Sequence, residues 1–403
     1  MKRAPWTIAL PAMLVGSAAC GGGDRWQPGL DADEPTVRIE EELRIGSVSD
    51  ADAGFAQIGG ISVAPDGRMF VMETLDRAIR VYASDGRLLR TFGGRGQGPG
   101  EFRYMNDLGL LGDTLWVSDI RGRRLTLFSF DGDVIATIPA QGVVVTPIAN
   151  VTVRVYPSRP RSDGYFASKY QAIVSLPRPT EPYQFPSLTF DAAGAVVDTT
   201  GYDQIDPDPI PYTYSTDPEF RFVSPFIDVD LRLIDGTDTI VIHRPMPTSS
   251  SDGSFEVTRI GQSGDTIFRR TFGYVPRPVT AEDRDRLVRA SIADRLPFMA
   301  NHIPASDTSD VRRAVQAAMP PAEYLPPVSY AVVRRDGSIW MRREDDSPDS
   351  WRWTVLSPDG TSRGTFALPK RATVHWTDGE RIWVVELDDF DVPWVVRYRL
   401  VEG

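Results

Sequence analysis

One short segment repeats along the chain: a tight turn containing Gly, followed by an apolar strand with an aromatic or β-branched centre. Its six copies begin at Asp66-Gly67, Gly112-Asp113, Asp163-Gly164, Asp235-Gly236, Asp336-Gly337 and Asp378-Gly379. Gly between strand-like runs indicates a hairpin, because Gly adopts the positive φ that a tight turn needs. A repeat of one hairpin unit at this spacing predicts an array of similar small sheets.

A second turn follows the first five copies after 19 to 30 residues, but the sixth copy reaches the chain end at Gly403 without one. These second turns lie at Asp85-Gly86, Asp131-Gly132, Ala193-Gly194, Ser263-Gly264 and Asp359-Gly360. Strand-like residues at 36–39 and 43–45 have no repeat of their own. A closed ring, in which the N-terminal strand completes the last sheet, accounts for both facts and removes open sheet edges.

We therefore predict an all-β fold: a six-bladed β-propeller of four-stranded antiparallel blades, closed by an N-terminal strand. The propeller spans residues 36–403. The predicted blades are 54–102, 103–143, 144–203, 218–275, 327–370, and 371–403 together with 36–48.

A small helical insert is predicted between blades four and five, at about 278–325. Thr280 with Asp283 three residues later is typical of a helix start, and the helix should end before Pro297. Residues 309–319 predict a second helix.

The N-terminus has the pattern of an export signal. Lys2 and Arg3 precede a mostly apolar stretch, and small residues lead to Cys20, the only cysteine. The pattern resembles the signal of bacterial lipoproteins, which implies acylation of Cys20. An ordinary secretory signal cleaved near Ala19 is the alternative. We predict a signal peptide at 1–19, a tether at 20–35, and export to the cell envelope, in the periplasm or at the outer membrane.

Residues 59–102 resemble an NHL-repeat blade, through the run from Gly60 to Gly67 and the glycine-rich run from Phe92 to Phe102. The second blade is similar, and the Asp and Arg of that family correspond to Asp119 and Arg124. The first blade has Glu73 and Ala78 at those places. The whole chain resembles the six-bladed propeller lipoproteins of bacterial envelopes, whose function is uncharacterised.

Several functions are not predicted. The net charge of −11 argues against a nucleic-acid partner, which would need a basic face. The run from Gly93 to Gly100 lacks the spacing of a dinucleotide or phosphate loop, so it is interpreted as a blade connection and no cofactor is predicted. Aromatic residues at equivalent repeat positions are expected to pack between blades. They are Phe70, Trp116, Phe166, Trp340 and Trp383.

The histidines do not define a metal site. His243, His302 and His375 show no metal-ligand spacing, although propeller topology could bring all three to one mouth of the central channel. No Gly-x-Ser-x-Gly motif is present, and no catalytic residue is predicted.

The best candidate for function is one rim of the ring, where the outer-to-inner connections and the turns between second and third strands meet. We predict a membrane-anchored module that binds a protein, peptide or carbohydrate there. The alternative is a metal-dependent hydrolase or lyase, similar to the lactonases among NHL-like propellers, with its site in the channel. The predicted rim residues are Glu73, Asp76, Arg103, Asn106, Asp107, Asp119, Arg121, Arg123, His243 and His375.

Overall fold

A computed structural model shows a ring of six antiparallel sheets. It describes residues 37–50, 53–161, 163–174, 182–205, 230–235, 238–247, 250–251, 253–261, 264–293, 322–334, 336–343, 347 and 349–402. The six-bladed propeller predicted from the repeat is confirmed. The described strands of each blade lie inside the predicted limits, except that blade three extends from Val143 to Ile205.

Each blade runs from an inner strand beside the channel to an outer strand at the circumference. Blade one contains β2 (Ile58–Val63), β3 (Met69–Glu73), β4 (Ala78–Tyr82) and β5 (Leu88–Gly93). Blade two contains β6 (Met105–Leu111), β7 (Thr114–Asp119), β8 (Arg124–Ser129) and β9 (Val134–Pro139). Blade three contains β10 (Val143–Ile148), β11 (Val151–Pro160), β12 (Phe166–Val174), β13 (Tyr183–Phe190) and β14 (Val196–Ile205).

The second half of the ring follows the same plan. Blade four contains β15 (Leu231–Asp235), β16 (Asp238–His243), β17 (Gly253–Ile260) and β18 (Thr266–Tyr274). Blade five contains β19 (Tyr330–Val333), β20 (Ile339–Arg343), β21 (Ser350–Leu356) and β22 (Ser362–Pro369). Blade six contains β23 (Ala372–Thr377), β24 (Arg381–Leu387), β25 (Pro393–Glu402) and the N-terminal β1 (Val37–Ile45).

The predicted closure of the ring is present. Strand β1 pairs antiparallel with β25, from Val37 opposite Glu402 to Ile45 opposite Val395. Arg44 bonds to Glu386 on β24 at 2.8 Å, and the hydroxyl of Tyr398 donates to the same carboxylate. The first and last strands of the described residues are therefore held in one sheet by backbone and side-chain contacts.

Blade three differs from the prediction, because it has five strands where four were expected. The extra strand is β10, which pairs with the first half of β11 through residues such as Val143 and Val155. Asn150, with φ 67°, forms the short turn between them. The connection from blade two carries enough β-branched residues to form a hairpin, which is why it extends the sheet.

The helical insert is described in its first part. Helix α1 (Ala281–Ala293) begins at the predicted capping pair, in which the Asp283 carboxylate accepts the Thr280 N–H at 3.1 Å and the Asp283 N–H donates to the Thr280 hydroxyl. Burial opposes ionisation of Asp283, but hydrogen bonds from Thr280, Arg286 and Arg277 lower its pKa to about 2. Backbone bonds tie Arg277 to Leu325 and Val279 to Glu323, closing the base of the insert. The second predicted helix, 309–319, and His302 lie outside the described residues.

The aromatic residues at equivalent repeat positions are buried between blades, as predicted. Phe70 belongs to a cluster with Leu108 and Phe128 of blade two, and Trp340 to one with Val384 of blade six. Trp383 packs with residues of blade one. These side chains fill the space between neighbouring sheets, so the ring presents a rigid frame for its loops.

Candidate binding site on the rim and in the channel

Two predicted rim residues, Glu73 and Asp119, are fully buried, with 0% exposure. The Glu73 carboxylate accepts the backbone N–H groups of Gln57 at 2.6 Å and Ala56 at 3.2 Å. Burial raises the pKa of Glu73, while the backbone hydrogen bonds oppose that rise. In both cases the carboxylate oxygens accept N–H groups of the chain segment that enters the inner strand of the same blade. These oxygens therefore do not face a ligand.

The glycine-rich connection between blades one and two is held by its own residues. Glu101 accepts the N–H groups of Gln97 at 3.0 Å and Gly98 at 2.8 Å. Arg124 donates to the carbonyl of Gln97 at 2.8 Å and to that of Glu101. These bonds agree with its interpretation as a blade connection.

The other rim residues of blades one and two lie at the expected turns and strand starts. Asp76 is exposed, 3.9 Å from Arg80, and Asn106 accepts the N–H of Ile120 at 3.0 Å. The backbone N–H of Arg103 donates to Asp119. Arg103 and Arg123 are both exposed.

A cleft of about 460 Å³ opens on this rim between blades one and two. We call it the rim cleft; its polar side chains come from Gln57, Thr74, Arg77, Arg95, Tyr104, Asn106 and Arg121. Among the described residues, no carboxylate pairs with any of its three guanidinium groups. Arg121 instead stacks over Tyr104, with 4.8 Å from its guanidinium carbon to the ring centre. The cleft is thus a basic site on an acidic protein.

Two cleft arginines, Arg77 and Arg95, are absent from the sequence-based prediction. Arg77 ends the turn between β3 and β4 with φ 58°, and Arg123 ends the next blade's equivalent turn with φ 52°. The carbonyl of each accepts an N–H from the chain leaving its blade, Gly94 and Ala140. Aligning the first two repeats would therefore have identified Arg77. Arg95 has no counterpart that could have identified it.

His243 lies away from the rim cleft, at the end of β16 in blade four. Its Nδ1 is 2.7 Å from an Asp230 carboxylate oxygen, and the two side chains are partly exposed. The structure therefore does not bring His243 together with the other predicted residues. Cys20 lies outside the described residues.

The central channel contains a second cavity, of about 240 Å³. Its ionisable side chains are Asp107 on β6, Arg159 on β11, Arg334 after β19 and His375 on β23. His375 is the unpaired residue of a bulge, since Val374 faces Val384 and Trp376 faces Trp383. Burial, together with the nearby positive charge of Arg334, lowers the pKa of His375 from 6.5 to about 4, so this histidine is neutral near pH 7. Asp107, predicted for the rim, and His375, expected near the channel mouth, both line this cavity, whereas neither of its arginines was among the predicted residues.

The described residues contain no group of three or more His, Cys, Asp or Glu side chains placed to hold a metal ion. Within the same part of the chain, no helix is long and apolar enough to cross a membrane.

Comparison with known proteins agrees with the fold. The family model DUF5128, described as a 6-bladed beta-propeller, matches residues 50–149, which cover the first two blades. A search of curated proteins found no significant match.

Three solved structures are similar to this chain at low sequence identity. A Bacteroides fragilis protein is 10% identical over 91% of this chain and 96% of its own, with a TM-score of 0.41. The calcium-binding protein regucalcin from Agrobacterium tumefaciens is 11% identical over 92% and 97%, with a TM-score of 0.37. A streptogramin B lyase is 10% identical over 90% and 98%, with a TM-score of 0.36. At such identities and scores, the chemistry of these proteins says nothing about this chain.

Proposed function

We propose that the protein is an envelope-anchored binding module that holds a negatively charged peptide or carbohydrate in the rim cleft. One observation carries the proposal: Arg77, Arg95 and Arg121 line one open cleft, and none is neutralised by a carboxylate among the described residues. Guanidinium groups bind carboxylates through paired N–H donors, which suits them to an acidic ligand.

The neighbouring acids support this assignment. Glu73 and Asp119 are occupied by backbone N–H groups, and Asp76 lies beside Arg80. The local excess of positive charge is therefore available to a ligand. Tyr104, 45% exposed and stacked under Arg121, adds an aromatic surface of the kind enriched in binding sites.

The anchor is proposed from the sequence alone. The lipoprotein-like pattern ending at Cys20 would attach the propeller to a membrane and leave the cleft free for a ligand in the envelope. In cells expressing the full chain, Cys20→Ala should move the protein from the membrane fraction to the soluble fraction and prevent incorporation of labelled palmitate. Unchanged fractionation and labelling would refute the anchor while leaving the cleft proposal intact.

The cleft is tested with two fluorescent probes, a hexaglutamate peptide and a hexagalacturonate oligosaccharide. Anisotropy titrations at about 0.15 M salt, where the Debye length is about 8 Å, should show binding of at least one probe. The double variant Arg95→Gln/Arg121→Gln should weaken binding about tenfold or more, because two charge-assisted contacts are lost. Whichever probe binds more tightly identifies the ligand class.

The matched control is Arg38→Gln/Arg87→Gln, which makes the same charge change at two exposed arginines outside the cleft. It should alter affinity by no more than about twofold, since distant exposed charges are largely screened. Failure of both probes to bind, or equal weakening by the two double variants, would contradict the proposal.

A further inference from the structure

The channel cavity has a chemistry of its own, separate from the rim cleft. Its 240 Å³ is several times the roughly 30 Å³ that one water occupies in the liquid, so a carboxylate- or phosphate-sized group fits. Gly59 and Gly60 on β2 form part of its wall. The cavity therefore has both room and a polar lining.

Arg334 is the central observation. One terminal nitrogen donates to the carbonyl of Val374 at 2.7 Å, and the guanidinium lies 5.8 Å from the ring centre of Trp340. Its Nε atom is buried and makes no hydrogen bond. The nearby acid Asp336 is engaged by Ser338 and lies 3.6 Å from Arg363.

The charge of Arg334 therefore has no counter-ion among the described residues. Burial lowers the pKa of Arg334 to about 10, the direction expected for a cation taken out of water. A buried charge is costly unless an opposite charge compensates it. An anion in the cavity would supply that compensation.

The other ionisable residues of the cavity also favour an anion. Arg159 has no side-chain partner among the described residues. Asp107 is already paired with Lys169, at 3.3 Å. Neutral His375 carries one ring N–H that can donate to an oxygen. The channel thus has two guanidinium groups without carboxylates and one neutral donor.

We propose that the central channel binds a small oxyanion group, a carboxylate or a phosphate, through Arg334, Arg159 and the ring N–H of His375. The fork of N–H donors on each guanidinium suits the paired oxygens of such a group. This site is independent of the rim cleft, although Gly59 borders both cavities.

The experiment uses the protein without its first 20 residues and two probes, inorganic phosphate and acetate. Each is titrated against sodium chloride at equal ionic strength, with the melting temperature and calorimetric heats recorded. An anion that binds only the folded state stabilises it by an amount that grows with the logarithm of anion concentration above Kd. Tm should therefore rise with probe concentration and not with chloride. The stronger probe tells whether the site prefers phosphate or carboxylate.

Arg334→Gln and Arg159→Gln should each weaken binding of that probe about tenfold or more, while Arg87→Gln should leave it unchanged. Arg159 is exposed, so its variant remains informative if Arg334→Gln does not fold. Arg121→Gln, in the rim cleft, should also leave probe binding unchanged.

Three results would overturn the channel site. The first is that neither probe raises Tm above the chloride control. The second is that the two channel variants bind the probe as well as the unaltered protein does, and the third is that Arg121→Gln alone abolishes binding. The last result would place the anion in the rim cleft and support the proposed function while refuting this inference.

Discussion

Glu73 and Asp119 occupy the same position at the end of the second strand in successive blades, and both carboxylates bind backbone N–H groups of the chain entering their own blade. Glu73 accepts from Gln57, and Asp119 accepts from Arg103 at 2.8 Å and Tyr104 at 3.0 Å. Both acids lie at the rim, where the sequence placed them, but their carboxylates accept backbone N–H groups and hold the entering chain in place. The ligand binding that we propose for the rim therefore rests on the arginines.

Asp119→Asn should destabilise the fold. The carboxylate also accepts the N–H of Gly122 at 2.7 Å, and an amide cannot accept all three bonds, since its nitrogen would face a donor. We expect a loss of about 3 kcal/mol in the free energy of unfolding, measured by urea denaturation. Exposed Asp113→Asn is the control and should change it by less than about 0.5 kcal/mol. Equal stability of the two variants would show that the buried bonds contribute little.

Closure of the ring is tested at Glu40, opposite Arg399 in the β1–β25 ladder. Leu400 donates its N–H to the carbonyl of Glu380, the residue before β24. The N–H of Arg399 therefore points to β1, and Glu40 and Arg399 form a hydrogen-bonded pair. Glu40→Pro removes a ladder bond and should cost on the order of 2 kcal/mol. Hydrogen exchange at the Arg399 amide should speed up.

Glu40→Ala is the matched control for that variant. It removes only the exposed ion pair with Arg399 at 2.7 Å and should leave the free energy of unfolding nearly unchanged. If Glu40→Pro leaves Arg399 exchange as slow as Glu40→Ala does, the N-terminal strand does not close the ring in solution.

His375 should make stability depend on pH. Its pKa falls from 6.5 to about 4 on folding, so between these values the unfolded chain binds a proton that the folded protein does not. The contribution of His375 to the free energy of unfolding is fully present above pH 6.5. As the pH falls toward 4, up to about 3 kcal/mol of that free energy is lost. His375→Asn should remove this part of the profile in urea titrations from pH 7 to pH 4. A profile identical to that of the unaltered protein would show that His375 titrates normally.

The sequence by itself determined the architecture. Turn glycines such as Gly67 and Gly132 have positive φ, and the alternating apolar strands between them repeat six times, so local turn chemistry and patterning set the blade number. The sixth copy of the repeat has no second turn, and strand-like residues within 36–48 have no repeat of their own, so pairing of the two segments was predictable. Strand β10, the extra strand of blade three, was not predicted. A connection rich in β-branched residues can form a strand or remain a loop, and its pairing with β11 decides between the two.

The tertiary structure decided the chemistry of the site. Sequence position placed Glu73 and Arg121 on one rim. It could not show that the Glu73 carboxylate would accept backbone N–H groups, whereas Arg121 would line the rim cleft without a carboxylate partner among the described residues. Arg334 starts the turn after β19, at the position that Ala64 has in blade one. Only its hydrogen bond to the carbonyl of Val374, in the next blade, brings its side chain to the channel. Which charges remain unpaired depends on contacts between residues far apart in the chain, whereas strands and turns depend on neighbours.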